Sequence, residues 1–211
     1  MRFPLFARRA LFALALAALA LPALAARTVM VFGDSLSAAY GLATSEGWVS
    51  LLAGRIARED PPWKVVNASV SGETTAGGLS RLPADLARHH PSVVLIELGA
   101  NDALRGQPIP EIRANLERMI RLVRQARAQP VLVGIMIPPN YGIDYAAEFR
   151  GVYPAIATVD HVPLVPFLLD GVVEHPELFQ SDQLHPTAAA QPRILDNVWR
   201  TLGPLLAKRR S

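Results

Sequence analysis

Ser35, Asp182, His185, Asn101 and Gly72 are the residues of this 211-residue chain whose types and spacing fit a hydrolytic reaction. Ser35 follows Val29-Met30-Val31-Phe32-Gly33-Asp34, an apolar, β-branched run that ends in a glycine turn. Such a run reads as a buried strand, and the C-terminal end of a parallel strand is where open α/β sheets bind ligands. A serine hydroxyl is a poor nucleophile until a base takes its proton. Of the five histidines, His89 and His90 lie in a polar loop before Pro91, His161 leads into a strand, and His175 sits in a linker before Pro176. His185 differs, because it stands in Asp182-Gln183-Leu184-His185-Pro186, with a carboxylate three residues earlier. Asp182 is placed to fix the ring tautomer and to offset the charge the ring gains. A residue before proline is driven towards extended backbone, and Pro186 suits a first helical position. His185 is therefore expected at a helix start, where the positive end of the dipole keeps the ring a base. The competing structural reading makes Ser35 and Asp182 ordinary helix caps and the histidine incidental.

Attack on a carbonyl also needs donors aimed at the oxyanion. The candidates are the Ser35 and Gly72 backbone N–H groups and the Asn101 side-chain amide. Alone, Gly72 reads as a turn glycine and Asn101-Asp102 as a capping pair. Leu36, Leu104, Ile137 and Tyr141 are candidates for an acyl pocket beside Ser35.

The elements that must position these residues alternate between strand and helix. Strands are expected at Val29 to Gly33, Lys64 to Ala68, Val93 to Leu98, Val131 to Ile137 and Val162 to Val165. Between them, Trp48, Leu51, Leu52 and Ile56 recur at helical spacing, and a second helix runs to about Arg88. A third starts near Pro110 with Ile112, Leu116, Met119, Ile120 and Val123 as its apolar stripe. A fourth covers Tyr145 to Val159, and the last carries Ile194, Leu195, Val198, Trp199 and Leu202, kinked or restarted at Pro192. This alternation predicts an α/β fold, a three-layer α/β/α sandwich on a flavodoxin-like five-stranded parallel sheet of order 2-1-3-4-5. That order opens a crevice between strands 1 and 3, and the loops carrying Ser35 and Asn101 flank it.

Gly33-Asp34-Ser35-Leu36, Gly72, Gly99-Ala100-Asn101-Asp102 and Asp182-Gln183-Leu184-His185-Pro186 resemble, in order and spacing, the GDSL or SGNH hydrolase superfamily, with Ser35, Gly72, Asn101 and His185 in the name-giving positions. Ser37 to Gly41, Leu104 to Gly106, Pro139 to Gly142 and Ala190 to Pro192 extend the resemblance to its bacterial secreted arylesterase, acyl-CoA thioesterase and lysophospholipase group. Ala100, where relatives often carry a second glycine, and Gln183-Leu184, where Gly-Ile is common, depart from the pattern. The resemblance implies a serine esterase working through an acyl-enzyme, with no metal or organic cofactor. The serine turn is not the Gly-x-Ser-x-Gly elbow of α/β-hydrolases, since Ser37 stands at the second glycine position.

Arg2, Arg8 and Arg9, the apolar run from Leu11 to Leu21 and Ala23-Leu24-Ala25 read as a signal peptide cleaved after Ala25, leaving residues 26–211 as a single domain. A membrane anchor is the alternative, but the stretch between Arg9 and Arg27 is broken by Pro22 and falls short of the roughly 20 residues a span needs. Export to the periplasm follows as an expectation, with no stable membrane anchor after cleavage. The absence of cysteine excludes disulfides, thiol catalysis and a lipidated N-terminal cysteine. Three of the 21 Lys and Arg residues lie in residues 1–25, which hold no acid, so the remainder balances the 18 Asp and Glu residues. Nothing here suggests nucleic acid. The expected partner is a small ester, thioester or lysophospholipid, bound by a monomer. The rival readings are a carbohydrate O-deacetylase of the same fold and a non-catalytic flavodoxin-like binding module.

Overall fold

The computed structural model describes residues 27–59 and 63–209. The segment expected to be a signal peptide lies outside the described residues. Five parallel strands form one sheet in the order β2-β1-β3-β4-β5. They are β1 (Arg27–Gly33), β2 (Trp63–Asn67), β3 (Val93–Glu97), β4 (Gln129–Val133) and β5 (Leu164–Val165). The helices are α1 (Trp48–Glu59), α2 (Thr75–His89), α3 (Ala100–Leu104), α4 (Ile109–Gln125), α5 (Ile143–Val159) and α6 (Gln191–Lys208).

Successive side chains of a strand point to opposite faces, and that period sorts the core into two layers. Met30, Phe32, Val94, Ile96 and Leu132 pack with Leu82 and Leu86 of α2, Ile112 and Leu116 of α4, and Phe149 and Tyr153 of α5. Val29, Val31, Val93, Leu95 and Val131 pack on the other face with Trp48, Leu52 and Ile56 of α1 and Ile194, Val198 and Leu202 of α6. Covered on both sides, β1 from Val29 onward and all of β3 are buried, as near-continuous apolar runs of parallel sheets are.

Several boundaries differ from those read in the sequence. β4 stops at Val133, and Gly134 to Pro138 leave the sheet as irregular chain. Gly134 makes the last contact, donating to Val165 O at 2.8 Å and lying so near the chain after β5 that a Cβ would stand 2.2 Å from the Pro166 carbonyl oxygen. β5 is only two residues long. Pro192 falls in the first turn of α6 and starts it, while Pro110 does the same for α4. The short α3, absent from the expected elements, holds Asn101 and Asp102. No described helix is long and apolar enough to cross a membrane.

Candidate active site

β1 delivers Ser35 at the sheet's C-terminal edge. The turn is tightened by Asp34, whose Oδ1 accepts a hydrogen bond from Leu36 N at 3.0 Å. Beneath it lies Glu97, the last residue of β3, whose Oε2 accepts from Ser37 Oγ at 2.6 Å and from Asp34 N at 3.3 Å. Gly33 is required by that approach, since a Cβ there would stand 2.5 Å from the Glu97 carboxyl. Glu97 is fully buried, and burial, then the neighbouring Asp34 charge, pushes its carboxyl well above the usual range.

His185 does not start a helix. Phe179 and Pro186 pair as an isolated antiparallel bridge, and α6 begins only at Gln191, after a single 3-10 turn at Ala188–Ala190. Pro186 serves that bridge rather than a first helical turn, so the expected placing of His185 at a helix start does not hold. The charge beside the ring comes from Asp182. Its Oδ1 accepts from the backbone N–H of Leu184 and of His185, both at 3.0 Å, while Oδ2 lies 2.7 Å from His185 Nδ1. The His185 backbone bond first, then that of Leu184 and the ring, lower the Asp182 carboxyl from 3.8 to about 2. With Nδ1–H donating to this carboxylate, Nε2 carries the lone pair, and it lies 2.9 Å from Ser35 Oγ. Residues 150 positions apart thus meet at hydrogen-bonding distance.

Gly72 sits in the loop between β2 and α2 with φ +79°, a conformation that favours glycine. A Cβ there would meet nothing in the protein, so the space beside it is open to a ligand. Ala68 N and Val70 N carry the sheet pairing into this loop by donating to Val31 O and Gly33 O at 2.8 and 3.0 Å. Arg81 of α2 fastens it, pairing with Glu73 at 2.6 Å and donating to Ala68 O at 2.8 Å. Asn101, in the first turn of α3, donates from Nδ2 to Asp34 Oδ2 at 3.0 Å. The backbone N–H groups of Ser35 and Gly72 have no acceptor among the described residues.

Ser35, Gly72, Asn101 and His185 all border one cavity of about 690 Å³. Leu36, Leu104 and Ile137 line it as expected from the sequence, but Tyr141 does not; it lies exposed on the short helix Pro139–Tyr141. Pro138 and Pro139 still border the cavity, and Ile135, Met136, Phe167, Leu169, Val173 and Phe179 supply the rest of the apolar wall. Phe167 and Leu169 follow β5 directly, so the rule that ligands sit beyond strand C-termini pointed to them. Ile135 and Met136 follow β4 in the same way, whereas Val173 and Phe179 carry no such signal, being single apolar residues in irregular chain.

Residues 31–192 match the GDSL-like lipase/acylhydrolase family. The chain belongs to that family. It is 52% identical over 182 residues to the esterase TesA of Pseudomonas aeruginosa, covering 86% of this chain and 90% of the relative. It is 42% identical over 184 residues to thioesterase 1/protease 1/lysophospholipase L1 of Escherichia coli K12, covering 87% of each. Among solved structures, the psychrotrophic esterase EstA of a Pseudoalteromonas species, inhibited by monoethylphosphonate, superimposes with a TM-score of 0.81 at 40% identity, over 86% of this chain and 99% of that one. This GDSL-family chain is therefore an esterase with the α/β sandwich of its family. The non-catalytic flavodoxin-like module is set aside.

Proposed function

We propose that this GDSL-family protein hydrolyses carboxylic esters of apolar acyl groups, and acyl thioesters and lysophospholipids of the same acyl type, through an acyl-enzyme on Ser35. One observation carries the reading: the unbroken chain from Ser35 Oγ to His185 Nε2 at 2.9 Å and from His185 Nδ1 to Asp182 at 2.7 Å. As Oγ attacks the carbonyl carbon, His185 Nε2 takes its proton and Asp182 offsets the imidazolium charge. The carbonyl oxygen becomes an oxyanion, met by the Ser35 and Gly72 N–H groups and the Asn101 amide. When the tetrahedral intermediate collapses, the imidazolium returns the proton to the departing alcohol or thiol. Water, deprotonated by the same nitrogen, then attacks the acyl-enzyme, releases the acid and restores Ser35. The apolar cavity beside the serine holds the acyl group.

Residues 1–25 act in this reading as a signal peptide cleaved after Ala25, so the enzyme works as a periplasmic monomer. Outside the cytoplasm acyl-CoA is scarce, which leaves aryl and lipid esters as its working substrates. The test is a series of p-nitrophenyl esters of rising chain length, with Ser35→Ala and a fluorophosphonate probe as controls. Turnover and labelling should both vanish in Ser35→Ala; near wild-type turnover in that variant would overturn the mechanism.

A further inference from the structure

The acid and the base sit on one short turn that belongs to no strand or long helix. Its internal closure is made at Gln180, whose N–H donates to His185 O at 2.7 Å and whose carbonyl accepts from Gln183 N at 2.9 Å. Those bonds shape the turn but do not register it against Ser35.

The registering contact leaves the turn through the same residue. Gln180 Nε2 donates to Tyr40 O at 2.8 Å and to Pro186 O at 3.1 Å, which uses both amide protons. One amide thus joins the residue after His185 to the serine turn, five residues past Ser35. Among the described residues, this link and the His185–Ser35 bond are the hydrogen bonds that connect the two turns. Backbone space is left for it at Gly41, where φ is +75° and a Cβ would lie 2.1 Å from Gln180 Oε1. The Tyr40 ring, carried by the same anchored backbone, rests against the imidazole with centroids 4.4 Å apart at 38°. Gln180 is not part of the cavity wall, so it does not face the substrate.

We infer that Gln180 is a positioning residue, which holds the imidazole of His185 in line with Ser35 Oγ by tying the histidine turn to the Tyr40–Gly41 backbone. The inference rests on the proposed roles of Ser35 and His185. Its effect belongs to alignment rather than to proton affinity, because Asp182 shares the histidine turn and stays with the ring.

The variant Gln180→Leu retains bulk and loses both donors. With p-nitrophenyl butyrate, kcat should fall about 10- to 100-fold, the range that a misplacement of about an ångström produces. KM should stay within about twofold, since ground-state binding is untouched. The pH midpoint of the acid limb should hold while only the plateau drops. Gly41→Ala should reproduce the loss by displacing the amide, and should cost little more kcat when added to Gln180→Leu. Gln180→Met, similar in length, uncharged and without N–H groups, carries the same expectation should the leucine variant melt early. Wild-type kcat in both Gln180 variants, a loss confined to KM, or additive losses with Gly41→Ala would overturn the inference. Turnover surviving in Ser35→Ala is a separate failure, that of the catalytic reading underneath.

Discussion

Asn101 donates from Nδ2 to Oδ2 of Asp34 at 3.0 Å, so the carboxylate beside the proposed nucleophile orients the proposed oxyanion donor. The arrangement costs stability. Asp34 is buried, and burial, only partly offset by the Leu36, His185 and Asn101 contacts, raises its carboxyl from 3.8 to about 6. Below 3.8 the folded and unfolded chains are both protonated here. As pH rises from there to about 6, the fold holds the proton longer than the unfolded chain, and stability is lost.

Asp34→Asn removes that penalty. Against wild type it should gain nothing near pH 3.5 and on the order of 2 kcal/mol at pH 8, each pKa unit being worth about 1.4 kcal/mol. Urea unfolding at the two pH values measures the difference. Activity should move the other way. An amide at position 34 presents N–H where Asn101 needs an acceptor, the Asn101 amide turns over, and kcat falls by about 10²- to 10³-fold.

Glu97 separates charge from hydrogen bonding. Its folded value lies well above 4.5, so its contribution to stability is present at acid pH and is lost as pH rises. Glu97→Gln keeps an acceptor for Ser37 Oγ and Asp34 N. It should match wild-type activity within about threefold and should exceed wild-type stability at alkaline pH. Glu97→Leu leaves both donors unpaired in the interior, at about 2–4 kcal/mol. Thermal melts of the pair at pH 9 decide it: equal stabilities would mean that the acceptor at Gly33–Ser37 is dispensable.

The parts of this protein visible in its sequence are those that repeat or cluster. Continuous apolar runs and helical spacing predicted the strands and helices, because a strand covered on both faces is apolar throughout and a helix has one face to bury; their alternation predicted the parallel order. The serine and asparagine segments were legible because each follows an expected strand directly, and the Asp-x-x-His-Pro segment because its acid and base stand three residues apart; Gly72 gained meaning only beside them. Invisible were the single side chains that span between motifs: Glu97 under the serine turn, Arg81 under the Gly72 loop, Gln180 between two turns. Glu97 read as one polar letter in a buried strand, and nothing local marks a glutamine that bonds a carbonyl 140 residues away. The helix start expected at His185 failed for a related reason. Pro186 fits a first helical turn locally, yet its pairing with Phe179 is a contact that only the tertiary fold supplies.

In the proposed mechanism Asp182 acts through tautomer and not through titration. Held at about 2 by the His185 and Leu184 backbone bonds, it stays ionised across any practical assay range. It therefore contributes nothing to an acid limb above about pH 3. Asp182→Asn keeps an oxygen for both backbone N–H groups but turns an N–H towards His185 Nδ1. The ring then carries its proton on Nε2 and donates to Ser35 instead of accepting from it. We expect kcat to fall about 10³- to 10⁴-fold with KM little changed and the melting temperature close to wild type. A loss under tenfold would show that the tautomer is fixed by something other than this carboxylate.

Ile137 tests where the acyl chain lies. It lines the cavity on the far side of the sheet crevice from Gly72, together with Met136 and Leu169, and is itself nearly buried. Each methylene taken from water into such a wall gains about 0.8 kcal/mol, or about fourfold in kcat/KM, until the space is full. Wild type should therefore favour p-nitrophenyl octanoate over the acetate. Ile137→Trp fills part of that volume without touching the reacting atoms. The acetate, whose acyl group ends beside Ser35, should keep kcat/KM within about threefold, and the octanoate-to-acetate ratio should fall about tenfold or more. A general packing defect would lower both esters together, so the ratio separates the two causes. An unchanged ratio would move the acyl chain to the Ser71–Gly72 side and leave the β4–β5 wall to the leaving group.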